Sequence, residues 1–168
     1  ADAYCLVLGV GTGHLVEALA KESRMRIIAV DRDLEKVASL RERIHAAGLY
    51  GSRVVVHDGD PLAFGLPPYF ASVVTSEDVG SSGFGRTGDF VKTVFECLRP
   101  YGGTAFLPLT EGKRGTFRKA VGEANLSKAV IGQAGQWTTM KRAGALEGSA
   151  NWTHEYSDPS NTLTSLDK

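Results

Sequence analysis

The sequence predicts a doubly wound α/β domain: a mainly parallel sheet with helices on both faces and a terminal antiparallel strand pair. Three observations carry this expectation. Compact apolar runs of about five residues alternate with stretches of helical period. The connections between them are short, as crossover units require. A glycine-rich turn, LGVGTGHL from Leu8 to Leu15, stands between the first strand and the first helix, at the edge where open α/β sheets bind ligands.

Each element can be justified in turn. YCLVL (Tyr4 to Leu8) is apolar throughout, as a strand buried on both faces should be. Leu15, Val16 and Leu19 form the inner side of the helix after the glycines. RIIAV (Arg26 to Val30) is the second strand, and Asp33 is placed to cap the helix that follows. In that helix Leu34, Val37, Ala38 and Ile44 recur at helical spacing until Gly48 stops it. RVVVH (Arg53 to His57) is the third strand, while PLAFGLPPYF is too rich in Pro and Gly for a regular helix.

ASVVTS (Ala71 to Ser76) reads as the fourth strand, followed by an irregular, mobile loop, VGSSGFGRTGD. Val91, Val94, Phe95 and Leu98 then mark a helix that ends before Pro100. GGTAFLPL contains the fifth strand, and Lys113 to Asn125 suits another helix. The two alternating arms around Gly135 suggest the antiparallel pair. From about Gly144 the chain turns polar and loses its period. The domain is therefore expected over residues 1–142, with 143–168 a linker or the start of a following domain.

Composition narrows the function. The 168 residues carry 19 Lys and Arg against 19 Asp and Glu, a net charge of zero. A dedicated nucleic-acid binder would show a basic excess to displace counterions from phosphates. No apolar run is long enough to span a bilayer, and ADAYCLVLG lacks the features of a signal peptide. A cytoplasmic location is the expectation. Cys5 and Cys97 fall on apolar faces and read as small buried hydrophobes. No Cys/His cluster has zinc spacing, so no metal site is expected.

The glycine spacing discriminates among cofactors. A dinucleotide fingerprint starting at Gly9 and Gly11 requires its third glycine at position 14, which is His14. A nicotinamide oxidoreductase is accordingly disfavoured. A P-loop is excluded because no G-K-[ST] follows. The observed pattern is G-x-G-x-G.

In that form LVLGVGTGHLVEALA resembles the first motif of the class I S-adenosylmethionine-dependent methyltransferases. IIAVDRDLEKVASLRERIHAAGL is similar to their second motif, VVVHDGDPLAFGLPP to the third, ASVVTSED to the fourth strand and LRPYGGTAFLPL to the fifth. The resemblance runs from about Tyr4 to Arg142 and implies a Rossmann-like sheet. It also implies S-adenosylmethionine as cofactor, S-adenosylhomocysteine as product, and methyl transfer to a small-molecule or protein acceptor.

By the same resemblance Gly9, Val10, Gly11, Thr12 and Gly13 form the loop along the amino-acid end of the cofactor. Asp31 accepts from both ribose hydroxyls, a task suited to the two oxygens of a carboxylate. Arg32 stacks near the adenine. Gly59, Asp60 and Pro61 lie at the adenine, with Asp60 accepting from its amino group and Leu62 beside the ring. Ser76 and Glu77 face the reactive methyl, and Glu77 and Asp78 are the candidates for orienting or deprotonating the acceptor. Plainer roles stay open for each. The glycines could serve a tight turn, Asp31 could share helix capping with Asp33, Asp60 could be a turn former before Pro61, and Glu77 a solvated carboxylate.

The chain departs from the family pattern in two places. Val7 stands where many relatives carry an acid for the cofactor's ammonium, and no familiar catalytic tetrad follows the fourth strand. LPPY (Leu66 to Tyr69) resembles the Pro-Pro-Tyr of amino-methylating relatives but lies before that strand, and reads as a turn. These departures keep a second function open, a degenerate methyltransferase fold that serves as a binding or scaffolding module. NWTHEYSDPSNTLTSLD in the tail is similar to the opening of pyrroloquinoline-quinone-type β-propeller repeats. That likeness implies a longer, bacterial, multidomain polypeptide with a propeller as partner domain.

Overall fold

A computed structural model of the chain describes residues 3–146 and 148–149. The elements are β1 (Tyr4–Leu8), α1 (His14–Glu22), β2 (Arg26–Asp31), α2 (Leu34–Ala46), β3 (Val54–Asp58) and β4 (Ala71–Thr75). After β4 come α3 (Thr87–Cys97), β5 (Thr104–Leu107), α4 (Glu111–Glu123), β6 (Ala129–Ala134) and β7 (Trp137–Arg142). One seven-stranded sheet results, in the order β3-β2-β1-β4-β5-β7-β6. The first five strands in that order are parallel, and β7 runs antiparallel to both β5 and β6. The doubly wound sheet with its terminal antiparallel pair is therefore observed. The propeller-like segment of the tail lies outside the described residues.

Strand alternation divides the buried side chains between two cores. Cys5 and Val7 of β1, Ile27 and Ala29 of β2, and Val54 and Val56 of β3 pack under α1 and α2. Leu6 and Leu8 of β1, Val30 and Val74 pack on the other face with Phe90, Val94 and Phe117 of α3 and α4. A strand whose successive residues enter opposite cores must be apolar throughout, which is why YCLVL lacks a polar position after Tyr4. Burial pushes the thiols of Cys5 and Cys97 up to about 12, since a thiolate would lose its hydration there.

Element ends follow local chemistry. Asp33 caps α2 as expected, its carboxylate accepting from the N–H groups of Glu35 and Lys36. Gly48 follows the helix at φ 69°. The last helix starts two residues before the expected Lys113 and ends at Glu123, with Asn125 in the left-handed region at φ 48°. The loop after β4 is irregular as expected, yet it is packed rather than loose. Val79, Ser82 and Phe84 are buried, and the Phe84 ring meets Phe90 edge-on at 5.4 Å.

The order of strands positions the site. From β1 the chain winds outward through β2 and β3, then crosses back to place β4 on the other side of β1. That reversal opens a crevice at the carboxyl ends of β1 and β4. Val7 pairs with Thr75, so the glycine loop after β1 and the loop after β4 are immediate neighbours.

Candidate functional site

The glycine loop leaves β1 at Gly9 and enters α1 after Gly13, with Gly9, Gly11 and Gly13 all at positive φ. Two of these glycines are demanded by close approach of the loop after β4. A Cβ on Gly9 would lie 2.3 Å from the Asp78 carbonyl oxygen and 2.7 Å from Ser81 Oγ, and one on Gly11 would lie 2.9 Å from Glu77 Cγ. The Gly9 carbonyl accepts from the N–H groups of Glu77 (3.1 Å) and Asp78 (3.2 Å). Val10 and Val7 are both core residues. Val7 therefore offers nothing to an ammonium group, in line with the departure seen in the sequence.

α1 begins without a side-chain cap of its own, because Gly13 has none to give. Glu77 supplies the missing acceptor from across the crevice. One carboxylate oxygen accepts from the Thr12 N–H at 3.0 Å and from the Thr12 hydroxyl, and the other accepts from the Leu15 N–H at 2.9 Å. Unpaired N–H groups and the helix dipole make this end of α1 an anion site. Burial pushes the Glu77 carboxyl up, but the Thr12 hydroxyl and the N–H groups of Leu15, Thr12 and Gly13 outweigh it and hold it below the ordinary range.

Asp31 ends β2 and is fully buried. Its Oδ2 accepts from the Val10 N–H at 2.8 Å and from Ser81 Oγ at 3.1 Å, while Oδ1 accepts from the Asp33 N–H at 3.0 Å. Asp31 does not share the capping of α2: the first-turn N–H groups go to Asp33 alone, and Asp31 holds only the backbone N–H of the cap residue.

Asp60 follows β3 and Gly59, whose N–H donates to the Asp31 carbonyl at 2.9 Å. Its carboxylate accepts from the Leu62 N–H at 3.0 Å and from Arg86 Nη2 at 2.9 and 2.7 Å, with Arg32 Nη2 at 3.4 Å. The Leu62 N–H, joined by the guanidinium groups of Arg86 and Arg32 against a partial desolvation, holds Asp60 below the usual carboxylate range. Pro61 is buried, and with Leu62 it borders a cleft of about 260 Å³.

Ser76 is fully buried at the end of β4, and its hydroxyl has no hydrogen-bond partner among the described residues. Asp78 accepts from the Gly80 N–H at 2.8 Å and faces Lys36 Nζ at 3.6 Å. Burial raises its carboxyl, and the Gly80 and Ser81 bonds with the Lys36 charge bring it below the usual range. Arg32 and Arg86 border a cleft of about 130 Å³ with Gly80, Gly83 and Gly85. Small-molecule pockets usually measure about 300–1,000 Å³.

Asp31, Asp60 and the glycine loop thus converge on one edge, and the loop after β4 meets all three. Ser81 and Arg86 were not among the residues expected at the site. Their pattern offers little warning: a serine and an arginine in a glycine-rich loop carry no period, and their partners Asp31 and Asp60 come from the ends of β2 and β3, which only the assembled sheet brings to this loop. LPPY holds no part of the glycine loop, Asp31 or Asp60; Leu66 and Pro68 line the cleft beside Pro61 and Leu62, and the segment ends in a turn. Tyr69 takes φ 62°, its N–H donates to the Glu96 carbonyl, and the Arg142 guanidinium lies 4.9 Å from its ring.

The donor set fits S-adenosylmethionine by chemistry: an anion-binding helix end for a carboxylate, one acid for ribose hydroxyls, and a second acid for an amino group. In this structure Glu77, Ser81 and Arg86 of the loop after β4 hold those same groups.

A family model described as a methyltransferase domain matches residues 5–102. No curated protein matches the chain by sequence. Among solved structures, a protein of Methanococcus maripaludis assigned as an S-adenosyl-L-methionine-dependent methyltransferase superposes with a TM-score of 0.72. It is 16% identical, over 88% of this chain and 80% of that one. Phosphoethanolamine N-methyltransferase 2 of Haemonchus contortus, solved with phosphomonomethylethanolamine and S-adenosylhomocysteine, gives 0.64 at 18% identity over 79% of this chain and 35% of that one. The [4+2]-cyclase SpnF gives 0.64 at 14% identity over 79% and 54%. The chain therefore spans most of the first of these and about half or less of the other two.

Proposed function

The chain belongs to the methyltransferase-domain family, and on that premise we propose that it binds S-adenosylmethionine and transfers its methyl group to a small-molecule or protein acceptor. One observation carries this above the rest. The carboxyl ends of three successive strands, β1, β2 and β3, bring the glycine loop, Asp31 and Asp60 to one edge of the sheet, beside the reversal between β1 and β4. The bound cofactor supplies an activated sulfonium methyl, so the protein has mainly to position the two reactants.

In this reading the N–H groups of Thr12 and Leu15 at the head of α1 hold the cofactor carboxylate. Asp31 accepts from the ribose hydroxyls, while Asp60, Pro61 and Leu62 hold the adenine. Arg32, on the same edge, lies over the adenosine end. Ser76, Glu77 and Asp78 stand at the end of β4, with Glu77 and Asp78 as the carboxylates available to orient the acceptor or take its proton. If turnover in Glu77→Ala equals that of the parent chain, this assignment of Glu77 fails while cofactor binding stands. Among the described residues no helix is long and apolar enough to cross a membrane. The cytoplasmic location and the attached domains belong to this proposal and rest on the sequence alone.

The test is a calorimetric titration with S-adenosylmethionine, S-adenosylhomocysteine and NAD, for the parent chain and for Asp31→Asn. Binding of the first two ligands with micromolar affinity, lost in the variant and absent with NAD, is the expected result. A thermal melt of the variant separates loss of ligand contact from loss of fold, because Asp31 also accepts from Val10 and Asp33. A second reading, a binding or scaffolding module without cofactor, is favoured by one feature: every carboxylate oxygen of Asp31 and Asp60 already has a partner in the chain. It predicts no heat with any of the three ligands.

A further inference from the structure

The geometry points to an intramolecular strap: residues 77–86 close the cofactor edge, and the Glu77 carboxylate occupies the head of α1 in competition with the carboxylate of the ligand. This inference rests on the cofactor reading above and deepens it.

Three latches, each on a different ligand-binding group, define the strap. Glu77 accepts from the N–H groups of Thr12 and Leu15. Ser81 donates to Asp31 at 3.1 Å. Arg86 grips Asp60 at 2.7 and 2.9 Å. The groups taken are the amino-acid, ribose and adenine positions of the proposed site, in that order along the strap. A loop that merely covered a surface would have no reason to match them one by one.

The chemistry of the first latch is the most telling. A helix N-terminus binds a carboxylate through unpaired N–H groups, whether that carboxylate belongs to a side chain or to a ligand. Glu77 satisfies the same donors that an amino-acid end would need, so both cannot be bound together. Two observations independent of this latch mark the closed arrangement as one of two. The Ser76 hydroxyl at the root of the strap is buried without a partner among the described residues, an arrangement that folded proteins seldom leave standing. Gly80, Gly83 and Gly85 lie among the buried Val79, Ser82 and Phe84, and give the strap the backbone freedom that a second arrangement requires.

A ligand that binds only the open form has its affinity reduced by the fraction of chains that are open. Weakening the Glu77 latch should therefore tighten binding, the opposite of what loss of a ligand-contacting residue does. The experiment compares the parent chain with Glu77→Gln, titrated calorimetrically with S-adenosylhomocysteine and with 5′-methylthioadenosine, which has the adenosine end and no carboxylate. The expected result is tighter S-adenosylhomocysteine binding in the variant by about tenfold, the scale of one charge-assisted hydrogen bond. The gain for 5′-methylthioadenosine should be clearly smaller.

Unchanged or weaker S-adenosylhomocysteine binding overturns the proposal, and equal gains for both ligands overturn the carboxylate competition. Binding by neither chain overturns the cofactor reading as well, whereas binding by the parent alone refutes only the strap. Arg86→Ala provides a second route should Glu77→Gln fold poorly. It frees the adenine end and should tighten both ligands alike, and no change in either would overturn the strap.

Discussion

At the scale of single residues, the glycines give the sharpest expectation. Gly9 and Gly48 both have positive φ, 80° and 69°, but a Cβ on Gly48 meets nothing within 4 Å while one on Gly9 runs into the Asp78 backbone. Gly48→Ala should cost about 1–2 kcal/mol for the left-handed backbone alone. Gly9→Ala adds an overpacking cost of about 1–3 kcal/mol, and urea unfolding of the two variants side by side measures the difference. Equal costs would show that the strap does not press on Gly9. The cysteines give a second expectation at this scale. With both thiols pushed up to about 12, neither should react with a maleimide or disulfide reagent at neutral pH until the chain unfolds. Both results bear on why some residues were legible in the sequence. Asp33 as cap, Gly48 as stop and the cysteines as core each follow from local pattern. Ser81 and Arg86 do not, because what they do depends on partners about fifty and twenty-six residues away.

At the scale of elements, the strap should respond to acid in a predictable direction. Glu77 and Asp60 are both held below the ordinary carboxylate range in the folded chain. As the pH falls, the unfolded chain therefore takes up protons first. The stability contributed by the two latches is complete above the unfolded values, about 4, and is lost as the pH drops through the lower folded ones. Urea midpoints measured from pH 6 down to pH 3 should decline, and Glu77→Gln should flatten part of that decline. An identical slope in the variant would mean that the Glu77 carboxylate contributes nothing to folding. The elements were readable from periodicity within about two residues at most ends, but α3 begins at Thr87, three residues inside the segment read as loop, because Thr87, Gly88 and Asp89 carry no apolar period. β2 and β3 each reach one residue further than the apolar run, to Asp31 and Asp58, which pair with each other. That extension buries Asp31, an outcome that composition and spacing alone do not announce, since its partners come from the loops after β1 and β4.

At the scale of the whole molecule, the strand order ties the parts together. The winding reverses between β1 and β4, so the glycine loop and the strap lie side by side although more than sixty residues separate Thr12 from Glu77. The family of the chain was legible because its motifs recur in order along alternating elements. The closure was not, because it joins the loop after β4 to the ends of β1, β2 and β3 and belongs to no single motif. The central claim is that cofactor and strap use the same groups in turn. Hydrogen–deuterium exchange of the chain, with and without saturating S-adenosylhomocysteine, tests this directly. The account predicts that the ligand leaves the amides of residues 10–15 protected, now by its own carboxylate, while those of residues 78–86 exchange faster as the strap lifts. Slower exchange or no change across 78–86 with ligand bound would contradict it.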